Sequence, residues 1–262
     1  MTPALRSRAG LARSLVIYRA RPWTIARLAR FYRGIVAPGD LAFDIGAHAG
    51  NRTRALLAAG ARVVALEPQA LFHAFLRRDL PPGATLVRAA AGARPGTARL
   101  AISRLHPTVS SLAPGFAERM ASAPGFAHVR WDAEEEVAVT TLDALVAAHG
   151  LPRFVKIDVE GYEAEVLAGL SRPVPWVAFE YLPAAFPVAR ACVARLADLG
   201  PYAFNLVPGE ARSFALPGWL DAQAFLETLA SRAADGRPGD VYARLPDSRL
   251  SDARLPDARL DA

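Results

Sequence analysis

Short apolar runs alternate with amphipathic segments along most of this chain. Residues 41–68 predict an apolar strand, a turn of small residues, a helix and a second apolar strand. Further strands are predicted at 85–90, 137–140, 154–159, 174–180 and 202–207, with a closing strand from 242 onward. Further helices are predicted at 23–36, 70–80, 142–149, 162–170 and 188–199. This alternation is typical of an α/β fold, in which a mostly parallel twisted sheet carries helices on both faces.

The two ends of the chain differ in composition from its middle. Eight arginines precede the first acid, Asp40, so residues 1–37 predict a basic helical extension. Its helix at 23–36 is expected to pack over the sheet edge or the mouth of a ligand site. Its arginines face either solvent or an acidic partner or membrane surface. Residues 38–242 form the main domain. Residues 243–262 repeat ARLPD and SRLSD, which cannot bury a core, and predict a disordered tail.

Composition excludes several classes of protein. The net charge of +6 comes from arginines and a single lysine, Lys156, a bias typical of GC-rich coding, so it does not indicate nucleic-acid binding. No apolar run approaches the ~20 residues of a membrane span, and the N-terminus lacks the pattern of a secretory signal. One cysteine, Cys192, cannot form an internal disulfide. We therefore expect a cytoplasmic protein and leave its oligomeric state open.

The first strand-turn-helix-strand unit carries the pattern of a nucleoside site. Gly46 and Gly50 permit tight turning and close approach of the backbone to a ligand. Asp44 lies at the end of the first strand. Glu67 closes the second strand, where an acid in such units hydrogen-bonds the hydroxyls of a ribose. The alternative is an ordinary turn whose glycines serve packing alone.

The glycine spacing distinguishes between two nucleoside cofactors. A dinucleotide site requires G-x-G-x-x-G, whereas this loop has Gly46 and Gly50 with His48 between them. An acid directly ahead of the turn suits a ligand with a cationic amino group and no phosphate. S-adenosylmethionine is such a ligand, and NAD(P) remains the alternative.

Acids also follow the later strands. Asp44, Glu67, Asp158 and Glu180 all fall at predicted strand ends, where ligands bind in doubly wound sheets. Lys156, Asp158 and Glu160 alternate with apolar residues and are expected on one side of an extended chain. The same carboxylates could instead cap the following helix or pair with Lys156.

The irregular stretch 106–131 is the best candidate for a lid or an acceptor-binding region. Its His106 is a candidate base or an ordinary loop residue. Cys192 and the histidines lack the spacing of metal ligands. The acids at Asp158 and Glu160 could hold a divalent ion, but we predict no metal site.

Four segments carry a resemblance to a known family: FDIGAHAGNRT, ALEP, VKIDVEGYEAEVLAGL and the pair FE at 179–180. Over roughly residues 38–208 the chain resembles FkbM-type S-adenosylmethionine-dependent methyltransferases, which implies a Rossmann-like methyltransferase fold. It also implies O-methylation of a hydroxyl on a sugar, polyketide or related small molecule. The acceptor is then a small molecule or glycan, with no nucleic acid expected. One departure is His48, where the family usually has asparagine.

The resemblance also implies roles for individual residues. Those implied at the cofactor are Asp44, Gly46, His48, Gly50, Glu67, Pro68, Arg88, Ala89, Ala90 and Asp158. Asp158 and Glu160 would line the acceptor side, and together with His106 they are the candidate bases. Two other functions stay open at this stage, an NAD(P)-dependent oxidoreductase and a catalytically silent fold that binds a partner.

Overall fold

The computed structural model describes residues 2–19, 22–121, 126, 128–209, 211–233 and 236–246. The strands are β1 (Leu41–Ile45), β2 (Arg62–Leu66), β3 (Ala84–Val87), β4 (Ala90–Ala91), β5 (Gly96–Ile102), β6 (Ala133–Thr140), β7 (Phe154–Ile157), β8 (Trp176–Tyr181), β9 (Ala203–Pro208) and β10 (Gly239–Arg244). The helices are α1 (Pro3–Arg19), α2 (Pro22–Tyr32), α3 (Asn51–Ala58), α4 (Ala70–Asp79), α5 (Phe116–Ala121), α6 (Leu142–His149), α7 (Glu163–Ala168), α8 (Phe186–Leu199) and α9 (Ala222–Ala233).

The main sheet has the strand order β3-β2-β1-β7-β8-β10-β9. β10 runs antiparallel to both of its neighbours, β8 and β9, and the pairs from β3 to β8 are all parallel. The predicted Rossmann-like, mostly parallel α/β fold is therefore confirmed. Chain order reverses between β1 and β7, and the carboxyl ends of parallel strands at such a switch point form a ligand crevice.

The central strands are apolar because both faces of the sheet are covered. In β1 the side chain of Phe43 joins the core under α6, α7 and α8. The neighbouring Ala42 joins the core under α2, α3 and α4. Alternation of side chains across a strand sends successive residues to opposite faces, so each face needs its own apolar set. The strands therefore appear in the sequence as continuous apolar runs.

A second, smaller sheet has the order β4-β6-β5. β6 begins at Ala133, earlier than predicted, because the acidic run Glu134 to Glu136 belongs to this strand rather than to a solvated loop. Thr141 caps α6, since its hydroxyl accepts the N–H of Ala144 at 3.0 Å. The second sheet brings the chain back to the same edge of the main sheet as the ligand crevice.

Three helices of the structure are absent from the sequence prediction: α1, α9 and the short α5, which lies in the stretch predicted to be irregular. The prediction of a disordered tail from residue 243 is wrong at its start, because β10 extends to Arg244 in the middle of a sheet. The rest of that prediction, from residue 247 onward, lies outside the described residues. Within the described part of the chain, no helix is long and apolar enough to cross a membrane.

Candidate functional site

Two adjoining cavities open at the carboxyl ends of β1, β2, β7 and β8. The smaller cavity has a volume of about 550 Å³, and the larger cavity of about 1160 Å³. Gly46, His48, Thr108, Asp158 and Glu160 line both of them. A molecule in the smaller cavity would therefore share a wall with one in the larger.

Most of the predicted site residues lie in these walls. Those that line the smaller cavity are Gly46, His48, Glu67, Pro68, Ala89, Ala90, Asp158 and Glu160. The remaining surface of that cavity is largely apolar and includes Leu66, Leu100 and Leu112. The larger cavity adds Glu180 from β8 together with Arg52 and Asp240. The predicted convergence of acids from separate strands therefore holds for Glu67, Asp158 and Glu180.

The glycine turn after β1 is fixed by the strands on either side of it. Gly46 has φ +89°, a conformation open mainly to glycine. A Cβ atom at this position would lie 2.0 Å from the carbonyl oxygen of Asp158, so the close approach also requires glycine. The N–H groups of Gly46 and Ala47 both donate to the carbonyl of Leu66, at 3.1 and 2.8 Å. β2 and β7 thus hold the loop in place.

Glu67 is buried and bound to two backbone amides. Its Oε2 accepts the N–H of His48 and its Oε1 the N–H of Gln69, both at 2.8 Å. Burial raises the pKa of this carboxyl to about 7, although the two amides lower it; the nearby carboxylates of Glu135 and Asp44 raise it further. Because a carboxylate offers about four lone-pair sites, each oxygen keeps acceptor capacity for a ligand.

Asp44 and Gly50 line neither cavity. The Asp44 carboxylate is buried behind the turn, where Oδ2 accepts the hydroxyl of Thr53 at 2.5 Å. Burial raises its pKa, against the effect of that hydrogen bond. Gly50 precedes α3 in a left-handed conformation, and a Cβ there would meet the Leu76 side chain at 2.8 Å. Both residues therefore shape the turn from behind.

The ring of His48 is largely buried and packs between two aromatic side chains. Its backbone has φ +46°, unusual for a residue other than glycine. The ring lies between Phe72, at a centroid distance of 4.2 Å, and Tyr18 of α1, at 5.3 Å. Burial lowers the pKa of His48 to about 3, so the ring is neutral at pH 7. Its Nε2 atom is buried and bonded to none of the residues that the structure describes.

A buried lysine lies next to Asp158 and Asp240. The Lys156 side chain is fully buried, and its Nζ lies 3.3 Å from Asp158 Oδ2 and 3.1 Å from Asp240 Oδ1. Arg52 reaches Asp240 Oδ2 at 3.4 Å. Burial alone would lower the pKa of Lys156, but Asp158 and Asp240 raise it above its usual value. The predicted pairing with Lys156 is thus present, and it uses one oxygen of Asp158.

Three carboxylates gather above this lysine. Asp158, Glu160 and Glu180 each present an oxygen, and the three oxygens lie within 4.8 Å of one another. β7 ends at Ile157, and Glu160 has φ +55°, so the chain is not extended through Glu160 as the sequence analysis expected. A turn, rather than strand alternation, brings Glu160 next to Asp158. Burial raises the pKa values of both Glu160 and Glu180, and the neighbouring carboxylates raise them further.

The turn after β7 is held by two side chains. Glu163 Oε1 accepts the N–H groups of Val159 and Gly161, at 3.2 and 3.1 Å. Ser111 Oγ donates to the carbonyl of Glu160 at 2.7 Å. Ser111 belongs to the stretch 106–131, and Thr108, Ser110 and Leu112 of this stretch line the smaller cavity.

Two predicted site residues point elsewhere. Arg88 is half exposed and forms an ion pair with Glu135 at 3.0 Å. Glu135 also accepts the N–H of Ala70 at the start of α4, so the pair braces that helix. His106 packs edge-on against His128, at a centroid distance of 4.8 Å, and lines neither cavity. We therefore assign no ligand contact to Arg88 and no base role to His106.

Helix α1 closes one side of the larger cavity. Tyr18 lines that cavity, and its carbonyl accepts the side-chain N–H of Asn51 at 2.7 Å. A Cβ on Gly10 would lie 2.0 Å from the carbonyl oxygen of Arg104 and 3.1 Å from Cδ of Pro107, so this helix packs closely on the start of the irregular stretch. Thr24, Ile25 and Leu28 of α2 continue the same wall. The position of α2 at the mouth of the site matches its predicted packing.

Sequence reasoning missed Glu163, Ser111 and Asp240 as parts of the site. Glu163 carried a signal, since an acid directly after a glycine turn and in the first turn of a helix often binds free amides. Ser111 and Asp240 reach the site from 49 residues before Glu160 and from a strand at the far end of the chain. No local pattern marks such long-range contacts.

Comparison with known proteins gives the following matches. The family described as "Methyltransferase FkbM domain" matches residues 44–194, more than half of the chain. The precorrin-6y C5,15-methyltransferase from Geobacter metallireducens GS-15 is a similar structure, with 14% identity, TM-score 0.42, and coverage of 84% of this chain and 86% of that one. An rRNA methylase from Streptococcus thermophilus has 11% identity and TM-score 0.39, with coverage of 82% and 92%. The comparison with curated proteins gives no significant match.

Proposed function

Because this chain belongs to the FkbM family of methyltransferases, we propose that it transfers a methyl group from S-adenosylmethionine to a hydroxyl oxygen of a sugar, polyketide or related small molecule. S-adenosylmethionine is the cofactor that the family implies. The oxygen acceptor and its class are the parts that we infer. The observation that supports an oxygen acceptor is the pair of adjoining cavities with an acidic cluster in their common wall. The class of acceptor is what the resemblance to the family implies.

The residues of the smaller cavity fit the cofactor. Gly46 lets the backbone approach a ligand where a Cβ would not fit. Glu67 retains lone pairs for two ribose hydroxyls while its amide contacts hold it still. Ala89 and Ala90, with the surrounding leucines, form an apolar slot for a flat base such as adenine. The unbonded Nε2 of His48 is a further polar atom available in the same wall.

The larger cavity is the proposed acceptor site. It meets the smaller one at Asp158 and Glu160, so both would adjoin the reacting atoms. When bound, S-adenosylmethionine supplies a methyl group already activated on a sulfonium sulfur. The chain has to align an acceptor oxygen with that group and keep water out. Helices α1 and α2 and the stretch around Thr108 enclose the cavity in a way that serves both tasks.

An alcohol must lose its proton as it is methylated. Asp158 and Glu160 are the proposed proton acceptors, because both line the two cavities. Asp158 is paired with Lys156 Nζ at 3.3 Å, whereas burial raises the pKa of Glu160, which makes its carboxylate more basic than an ordinary one. Glu160 is therefore the better candidate for the base, with Asp158 as an orienting group.

Calorimetry with S-adenosylhomocysteine tests the cofactor site. We expect one binding event per chain, which Glu67→Ala abolishes and Glu227→Ala, on the exposed surface of α9, leaves intact. No binding to the wild-type protein would count strongly against the proposal.

A transfer assay with methyl-labelled cofactor tests the reaction. The acceptor panel would hold sugars, polyketides, lipids, amines and RNA, with product analysis that distinguishes O-methyl from N-methyl groups. We expect label on a hydroxyl of a small molecule. Binding of the cofactor without transfer to any member of the panel would favour a silent binding protein, and label on nitrogen would refute the oxygen acceptor.

A further inference from the structure

We propose that Asp158, Glu160 and Glu180 form a binding site for a divalent cation of the Mg²⁺ type in the wall of the larger cavity. The proposal rests on the proposed function, because it assigns a cation to the acceptor side of the same site. The sequence analysis predicted no metal here. In the structure Glu180 joins Asp158 and Glu160 in one cluster of three carboxylates.

The geometry of the three carboxylates suits one ion. Their oxygens lie within 4.8 Å of one another, and ions held by carboxylates bridge oxygens of this kind at 2.0–2.6 Å from each. Glu180 lies in β8 and Asp158 directly follows β7, so the pairing of these strands sets the spacing of the two acids. The turn held by Glu163 and Ser111 places Glu160 beside them. An all-oxygen, all-carboxylate set favours a hard cation over zinc or copper.

A second observation, independent of the clustering, is that one carboxylate oxygen of Glu180 lacks a hydrogen-bond partner among the described residues. Its Oε2 atom is buried and accepts no hydrogen bond from any residue in the described ranges. A buried carboxylate oxygen without a partner is costly, and such atoms are normally satisfied by a donor, a water or an ion. Glu180 lines the larger cavity, so an ion that enters this cavity could reach its carboxylate.

The nearby cations leave this position unfilled. Lys156 binds Oδ2 of Asp158 from below, at 3.3 Å, and shares its charge with Asp240. Arg52 is directed at Asp240. Glu163, the remaining acid, uses Oε1 for two backbone amides. The second oxygen of Asp158 and the carboxylates of Glu160 and Glu180 therefore remain for a cation from solution.

A cation here would serve the acceptor. A divalent ion lowers the pKa of an oxygen bound to it and fixes the position of that oxygen. With three carboxylate ligands, several coordination positions stay open towards the cavity. We therefore expect acceptors that offer an oxygen ligand to the ion, and the acceptor's hydroxyl proton would leave to Glu160 or to solvent.

Titration with Mn²⁺, followed by electron paramagnetic resonance, tests the site without any turnover. We expect one Mn²⁺ per chain, displaced by excess Mg²⁺. Glu180→Gln should weaken Mn²⁺ binding by at least about 10-fold, the lower end of what loss of even an outer hydrogen-bond partner costs a metal site. Glu165→Gln, an exposed acid on α7 a few residues from the cluster, is the matched control and should bind Mn²⁺ as the wild type does.

Thermal unfolding separates a metal ligand from a residue needed only for folding. Glu180→Gln removes repulsion between buried acids, so in the presence of a chelator its melting temperature should be higher than that of the wild type. Mn²⁺ should raise the melting temperature of the wild type but not that of Glu180→Gln. Absence of Mn²⁺ binding to the wild type, or equal binding by Glu180→Gln, overturns the metal site. S-adenosylhomocysteine binding is measured in the same samples, so failure of the cofactor site would be recognised separately.

Discussion

The raised pKa of Glu67 predicts that cofactor binding depends on pH through this one carboxyl. Hydroxyl groups of a ribose donate to a carboxylate, so they favour its ionised form. With a pKa of about 7 in the free protein, roughly one tenth of Glu67 is ionised at pH 6 and roughly nine tenths at pH 8. If only the ionised form binds, the Kd of S-adenosylhomocysteine should be about 10-fold higher at pH 6 than at pH 8.

Calorimetry tests this prediction through two quantities, the Kd as a function of pH and the number of protons released on binding. The Kd is determined at intervals between pH 5.5 and pH 8.5. At pH 6 the heat is also compared in two buffers of different ionisation enthalpy, which should reveal release of about 0.9 proton per ligand bound. His48 does not titrate in this range, because its pKa lies near 3.

Two variants isolate the contribution of Glu67. Glu67→Gln should bind more weakly at pH 8, by roughly 1.5–3 kcal/mol for a lost hydrogen bond to a charged group, and should lose the pH dependence that Glu67 causes. Glu135→Gln removes a nearby negative charge that raises the pKa of Glu67, so its binding curve should shift to lower pH. A wild-type Kd that is flat from pH 6 to pH 8, or an equal slope in Glu67→Gln, would refute the reasoning.

Three further changes test the framework of the site. Gly46→Ala should abolish S-adenosylhomocysteine binding and lower the free energy of unfolding by about 1–3 kcal/mol or more, because the new Cβ would lie 2.0 Å from a carbonyl oxygen in a backbone with φ +89°. Calorimetry measures the binding and urea unfolding measures the stability. Unchanged binding would contradict the close approach of the backbone to the ligand. Lys156→Met should destabilise the protein by up to about 3–5 kcal/mol in urea unfolding, because Asp158 would lose its cation and Asp240 would keep only Arg52. An unchanged free energy of unfolding would contradict a stabilising role for this lysine. Tyr202→Phe should lower the free energy of unfolding in urea by about 1–3 kcal/mol, because the Tyr202 hydroxyl accepts the N–H of Val174 at 2.9 Å and donates to the carbonyl of Val174 at 2.6 Å. The affinity for S-adenosylhomocysteine should stay constant. A loss of affinity would show that these two hydrogen bonds affect the binding site.

The buried strands could be predicted because burial on both faces leaves a continuous apolar run. Ala42 and Phe43 are both fully buried although they face opposite layers. Helix α1 was missed because arginines interrupt its apolar positions, so the amphipathic pattern is weak. Helix α9 offered only two fully buried apolar residues, Phe225 and Leu229, one turn apart. A pair at that spacing is a weak signal, and the flanking sequence adds little to it.

At the site, the sequence predicts which residues follow a strand better than it predicts the direction in which their side chains point. Glu67 and Asp158 follow strands directly and do reach the crevice. Asp44 lies within β1, where alternation sends its side chain behind the turn to Thr53. Arg88 is drawn away by Glu135, a partner 47 residues later in the chain. Contacts of this range depend on the folded arrangement of two sheets, and no local pattern contains them.

Helix α1 also bears on how this family can diversify. It lies entirely before residue 44, where the family match begins, yet Tyr18 forms part of the wall of the larger cavity. The segment that carries the family match is therefore distinct from a segment that lines the proposed acceptor cavity. Chains with the same catalytic core but a different leading helix are expected to differ in acceptor choice, and exchange of residues 2–36 between two such chains should transfer that choice while leaving cofactor affinity unchanged.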